Sequence, residues 1–118
     1  MRKLDDINIG IYEKALPKNI SWEERIKLVK ECGYDFMEIS IDETDERLAR
    51  LEYSKEEIKE IRDYLLDADV RIPSMCFSGH RRFPMGSMSQ ETRDKAMELM
   101  EKAIVFADRL GIRTIQLA

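Results

Sequence analysis

The sequence predicts an α/β fold, a partial (β/α)8 TIM barrel of about the first three and a half βα units with parallel strands. Three observations lead there. Hydrophobic periodicity switches repeatedly between 2 and 3.6, which marks strands alternating with helices. Candidate strands start near residues 7, 36, 71 and 113, so each interval is long enough for a helical crossover, which needs about a dozen residues or more. Finally, one face of each strand is polar or small: Asn8 and Gly10; Glu38 and Ser40; Ser74, Cys76 and Ser78; Thr114 and Gln116. A doubly wound sheet lies under helices on both faces and needs apolar strands throughout, whereas a barrel with a polar interior mouth accommodates this alternation. A complete barrel takes about 250 residues. The 118 residues therefore read as the N-terminal part of a single barrel domain, residues 1–118. The alternative is a small complete α/β domain with an amphipathic sheet, whose weak point is an uncovered last strand.

The first strand is expected over Ile7–Tyr12, with Ile7, Ile9 and Ile11 on one face. Pro17 and Asn19 mark a loop. Ser21-Trp-Glu-Glu24 has the form of a capping box, and Trp22, Ile26, Val29 and Cys32 recur at helical spacing until Gly33 stops the helix. Phe36–Ile41 is the second strand, with Met37, Ile39 and Ile41 on its apolar face. The charged stretch Asp42–Arg50 holds one short helix capped by Thr44, and a second capping box, Ser54-Lys-Glu-Glu57, opens a helix with the stripe Ile58, Ile61, Leu65 and Ala68. A third strand runs from about Ile72 to Phe77. The Gly and Pro content of Ser78–Ser87 makes it a loop. Ser89 caps the longest helix, with Ala96, Leu99, Met100, Ala103, Ala107 and Leu110 buried and Gly111 as its stop, and Arg113–Leu117 is the fourth strand. The apolar strand residues, Met75, Phe77, Ile115 and Leu117 among them, should contact helices, while Asn8, Glu38, Ser74 and Gln116 face the concave side.

Lys and Arg number 20 against 24 Asp and Glu, a formal net charge of −4, which disfavours phosphate-rich nucleic acid as a partner. No apolar run approaches the roughly 20 residues that cross a bilayer, and the acidic start lacks the apolar region of a signal peptide. No membrane partner and a cytoplasmic location are expected. Cys32 and Cys76 lie in apolar stretches and read as reduced core residues. With one histidine and no Cys-x-x-Cys, the chain cannot build a usual zinc site.

Barrel enzymes place their chemistry at the C-terminal ends of the strands. Tyr12 ends the first strand, where its ring and hydroxyl can face a pocket or simply plug the barrel. Glu38 needs polar partners among apolar neighbours, and either meets a substrate hydroxyl or braces a loop. Ser78, Gly79, His80, Arg81 and Arg82 concentrate donors after the third strand. Arg can grip a sugar phosphate with two prongs and His80 can donate to an oxygen, although solvated Arg-rich loops are common.

Read together, Asn8–Pro17, Met37–Leu48 with its Asp42-Glu-Thr-Asp-Glu-Arg47 block, Ile72-Pro-Ser-Met-Cys76, Ser78–Pro84 with Gly79-His-Arg-Arg-Phe-Pro84, and Leu110–Ala118 resemble the L-ribulose-5-phosphate (L-xylulose-5-phosphate) 3-epimerase family. The likeness spans essentially the whole chain, and related proteins have carried the name hexulose-6-phosphate isomerase. It implies an isomerase of the xylose-isomerase-like barrels, acting in carbohydrate and L-ascorbate catabolism. Such an enzyme epimerises a ketopentose phosphate at carbon 3 through an enediolate stabilised by a divalent metal. The resemblance places the family's metal-binding Glu, Asp, His and Glu on later strands, beyond Ala118. No catalytic residue and no metal ligand carries over, and no cofactor is expected on this segment. Tyr12 matches the position of a substrate-facing aromatic, and the Ser78–Arg82 loop matches more loosely. The expected partners are a sugar-phosphate substrate and either a complementary C-terminal half or a second copy, because an unpaired last strand invites association. Alone the chain is expected to be inactive. A noncatalytic half-barrel and a small phosphate-binding domain are the competing readings.

Overall fold

A computed structural model describes residues 7–118. Four parallel strands, β1 (Gly10–Tyr12), β2 (Phe36–Ile41), β3 (Arg71–Phe77) and β4 (Thr114–Leu117), lie side by side in chain order. Helices α1 (Trp22–Glu31), α3 (Lys55–Ala68) and α4 (Gln90–Leu110) make the crossovers, and the short α2 (Asp45–Leu48) runs into a 3-10 turn over Ala49–Glu52.

The predicted caps form. Ser21, Thr44, Ser54 and Ser89 each accept a backbone N–H three residues on, from Glu24, Arg47, Glu57 and Thr92. An N-cap hydroxyl of this kind is worth about 1 kcal/mol. Gly33 and Gly111 follow α1 and α4 at φ +86°, a conformation that side chains resist. Asp69 ends α3 in the same left-handed region, at φ 54°, without a glycine to announce it.

Strand alternation sorts the residues by face. Met37, Ile39, Ile41, Met75 and Phe77 are wholly buried against Ile26 and Val29 of α1, Ile58 and Ile61 of α3, and Leu99, Ala103 and Phe106 of α4. Each large side chain so buried contributes about 1.5–3 kcal/mol. The other face carries Phe36, Glu38, Ser74 and Cys76, partly accessible, and Thr114 and Gln116, exposed. The helices therefore cover one side of the sheet, as a barrel wall requires and a doubly wound sheet does not.

Four expectations fail. β1 begins at Gly10 rather than Ile7, and Ile7 and Ile9 stand 38% and 45% exposed. Ile9 is tethered through Asp35, whose carboxylate and backbone N–H bond its N–H and carbonyl, and β1 is an edge strand among the described residues. Leu117 shares Phe77's face but is 57% exposed, because α4 does not extend over the end of β4, whereas Ile115 packs against the core. Cys32 is exposed at the C-cap of α1; the buried stripe is Arg25, Ile26 and Val29, so the helix has turned Cys32 away from the sheet. Both cysteines are free, and Cys76 is only half-buried.

Candidate substrate-binding face

The register sets polar side chains in rows across the accessible face of the sheet. Tyr12 is level with Glu38, Glu38 with Ser74 and Ser74 with Thr114; the next row holds Ser40, Cys76 and Gln116. Ser74 Oγ donates to Glu38 Oε2 at 2.6 Å. Glu38 thus finds its partner on the neighbouring strand. Burial pushes the Tyr12 hydroxyl pKa up from its usual 10, with the Cys76 thiol adding to the rise and the Ser40 hydroxyl and Lys14 opposing it. Ser40 Oγ nevertheless completes no hydrogen bond among the described residues. Tyr12, Ser40 and Cys76 are therefore neighbours with an unspent hydroxyl between them.

Beside this row lies a feature that the sequence reading missed. Glu13, in the turn after β1, is 1% exposed and is met by three arginines. Arg50 grips it with both prongs, Nη1 to Oε1 at 2.7 Å and Nη2 to Oε2 at 2.5 Å. Arg47 Nη1 lies 2.9 Å from Oε1, Arg25 Nε 3.3 Å from Oε2, and the Ser40 N–H donates to Oε1 at 3.0 Å. Arg47 and Arg50 also donate to the Ser40 carbonyl. Trp22 lies under the guanidinium groups of Arg25 and Arg50, 5.0 and 4.5 Å from their carbons, and its indole N–H donates to Tyr53. Burial alone would raise the Glu13 pKa, but the hydrogen bonds and charge of Arg50, the Ser40 N–H and the Arg47 charge outweigh it and hold the carboxyl below its usual range. The hub ties the exit of β1 to β2, α1 and α2. The one sequence signal for it is that Arg25 and Arg50 sit beside Ile26 and Leu51, where solvated charges are not expected.

The loop after β3 is spent differently from its sequence reading. The segment Gly79–Arg82 forms a 3-10 turn. His80 Nε2 lies 2.7 Å from the Ala118 carbonyl, and Arg81 Nε donates to the same oxygen at 2.8 Å. Arg82 pairs with Asp45 and donates to the Glu43 carbonyl. The Ser78 N–H donates to the Ile41 carbonyl, and the Ser78 carbonyl accepts the N–H of Arg81. Gly79 serves close packing within the protein: a Cβ there would stand 2.7 Å from Leu48 and 3.1 Å from the Asp42 carbonyl. These side chains brace the exit of β4 against that of β3. Together with Tyr12 they lie at the C-terminal ends of the strands.

Among the described residues no group of three or more His, Cys, Asp or Glu side chains is placed to hold a metal ion. They do not fit the divalent metal of the resembled family. No helix among them is long and apolar enough to cross a membrane.

A parallel sheet in chain order, with helices on one side and rows of polar groups on the other, has the form of one wall of an α/β barrel. The family model of the xylose isomerase-like TIM barrel matches residues 26–118, and the chain belongs to that family. It is 56% identical over 110 residues, 93% of this chain, to a Haemophilus influenzae protein, SgbU, provisionally named an L-ribulose-5-phosphate 3-epimerase. It is 53% identical over 112 residues, 95% of this chain, to the L-ribulose-5-phosphate 3-epimerase UlaE of Shigella boydii. The chain spans 38% and 39% of the length of these relatives. A crystal structure of D-psicose 3-epimerase in the presence of D-fructose superposes with a TM-score of 0.75, over 92% of this chain and 36% of that one, at 20% identity. At that identity the match speaks for the fold.

Proposed function

We propose that the chain is the N-terminal part of a cytoplasmic L-ribulose-5-phosphate 3-epimerase, and that it supplies one wall of the site where a ketopentose phosphate is epimerised at carbon 3. The observation that carries this reading is the 53–56% identity, along nearly the whole chain, to relatives bearing that name. The polar rows on the accessible face of the sheet support it. On this reading Tyr12 covers the sugar with its ring and offers its hydroxyl to a substrate oxygen. Glu38, aligned by Ser74, accepts from a sugar hydroxyl. Ser78, His80 and Arg81 shape the pocket's rim by fixing the exits of β3 and β4. The acid, the base and any metal ligands are assigned to segments outside this chain, and no step is routed through a metal here.

The accessible side of β4, with Leu117 exposed, and the apolar residues Met97, Ile104 and Val105 on α4 would then be covered by a complementary C-terminal half. Co-expressing the chain with the remaining part of UlaE tests the proposal. Epimerisation of L-ribulose 5-phosphate by the copurified pair, absent from either piece alone with or without divalent metal, is expected. A stable pair without activity would remove the epimerase reading, and metal-dependent turnover by the rigorously purified 118-residue chain would remove the need for the second piece.

A further inference from the structure

A cavity of about 230 Å³ opens where β1 and β2 end, lined by Lys14, Lys18, Asp42, Thr44, Glu46 and Arg47. It lies below the roughly 300–1,000 Å³ of pockets that enclose drug-sized ligands, a size suited to one compact group and its waters. Its charges are unevenly spent. Asp42 is committed: Lys14 Nζ lies 3.1 Å from one oxygen, and the Thr44 N–H and hydroxyl donate to the other at 3.0 and 2.6 Å. Lys18 has no ion pair among the described residues. Arg47 directs a single nitrogen, Nη1, at both the Ser40 carbonyl and Glu13, which leaves the rest of its guanidinium edge without a protein acceptor among the described residues. Glu46 is the one opposing carboxylate on the wall that nothing occupies.

Behind the wall the imbalance grows. Arg25, Arg47 and Arg50 face the single carboxylate of Glu13, so the hub carries surplus positive charge at side-chain exposures of 6%, 11% and 7%. Surplus charge screened so little by water projects into the adjoining cavity far more strongly than the same charge on an open surface. The guanidinium of Arg47 and the ammonium of Lys18 lining one small space are the kind of donors that a phosphoryl group takes.

We infer that this cavity binds the phosphoryl group of a small phosphate monoester through Lys18 and the free edge of Arg47. The choice of a sugar phosphate as the natural guest rests on the epimerase reading; the anion site itself rests on these charges alone. On this inference a sugar held on the Tyr12–Glu38 row would extend its phosphate toward the exits of β1 and β2.

The test is a titration of the isotope-labelled 118-residue chain with inorganic phosphate at constant ionic strength, followed by amide NMR. Saturable shifts over residues 14–18 and 42–47 are expected. Lys18→Ala, an exposed position outside the hub, should weaken binding roughly fivefold, and Glu46→Gln should tighten it by about two- to threefold, as the loss or gain of one partly screened charge implies. Arg81→Ala should leave it unchanged. No saturable shift, or shifts over residues 78–82 that vanish in Arg81→Ala, would overturn the inference. L-Ribulose 5-phosphate should shift the same amides and L-ribulose should not. In the complemented enzyme the two ideas separate. A KM for L-ribulose 5-phosphate that Lys18→Ala leaves unchanged refutes the phosphate site while epimerisation stands, and phosphate binding by a pair that does not epimerise refutes the activity alone.

Discussion

The Glu13 carboxylate accepts the backbone N–H of Ser40 at 3.0 Å, while Arg50, which grips that carboxylate, donates to the Ser40 carbonyl at 3.2 Å. One peptide segment of β2 is thus held from both sides by a buried ion pair whose acid comes from the preceding turn and whose base comes from the following one.

Removing the acid should be costly. Glu13→Ala or Glu13→Gln strands three arginines in a site nearly free of water, and breaking a buried pair this way costs about 3–5 kcal/mol. Urea unfolding measures it. Because the folded state lowers the Glu13 pKa, its contribution is present above the unfolded value, near 4.5, and drains away as pH falls through the folded value. The wild type should therefore lose stability as pH falls from the unfolded value through the folded one, and Glu13→Gln should show a shallower slope over that window.

Asp42 gives a second, separable titration. Desolvation opposes its ionisation, yet the Thr44 hydroxyl and N–H and the Lys14 ammonium hold its pKa at about 2, from 3.8. Carboxyl NMR should find it still ionised at pH 3. Thr44→Val, which deletes the hydroxyl from both Asp42 and the cap of α2, should raise that pKa and cost about 1 kcal/mol. An unchanged titration in this variant would contradict the geometry.

Gly10 is level with Phe36, and a Cβ on it would fall 2.0 Å from the Phe36 ring. Gly10→Ala should destabilise the fold by about 1–3 kcal/mol, the usual cost of overpacking. A double-mutant cycle with Phe36→Leu should recover much of it; a purely additive pair would show that the ring is not the obstacle.

How much of this was open to sequence reading follows from how local each signal is. Ser21, Ser54 and Ser89 announce their helices within four residues, and Met37, Ile39 and Ile41 announce a covered strand face by alternation, so the order of elements and most of the core could be read directly. Ile9 and Leu117 alternate just as well, but whether anything covers them depends on neighbours that alternation does not specify. The hub was illegible for the opposite reason: Glu13 and Arg50 are 37 residues apart and both types are ordinarily solvated. Tyr12 could be placed at a strand end and Glu38 on the polar face of its strand from spacing alone. What His80 and Arg81 hold could not, since loop donors read the same whether they face a ligand or a backbone carbonyl such as that of Ala118.

Exposed apolar groups lead to a prediction about assembly. Leu117 is 57% exposed at the end of an edge strand, and Met97 and Ile104 are each 54% exposed on α4. The isolated chain should sediment with a concentration-dependent coefficient, and Leu117→Lys together with Ile104→Lys should shift it toward monomer. A monomer at every concentration would mean that these faces are harmless as they stand.

Trp22 is the only tryptophan in the chain, and it lies against two guanidinium groups of the hub with its N–H on Tyr53. The molecule thus carries its own optical gauge at the point where α1, the turn after α2 and the exit of β1 are joined. Any event that loosens the grip on Glu13, whether acid, substitution or the arrival of an anion nearby, changes the field and the collisional surroundings of a single fluorophore. Its emission reports on the joint and on no other part of the fold.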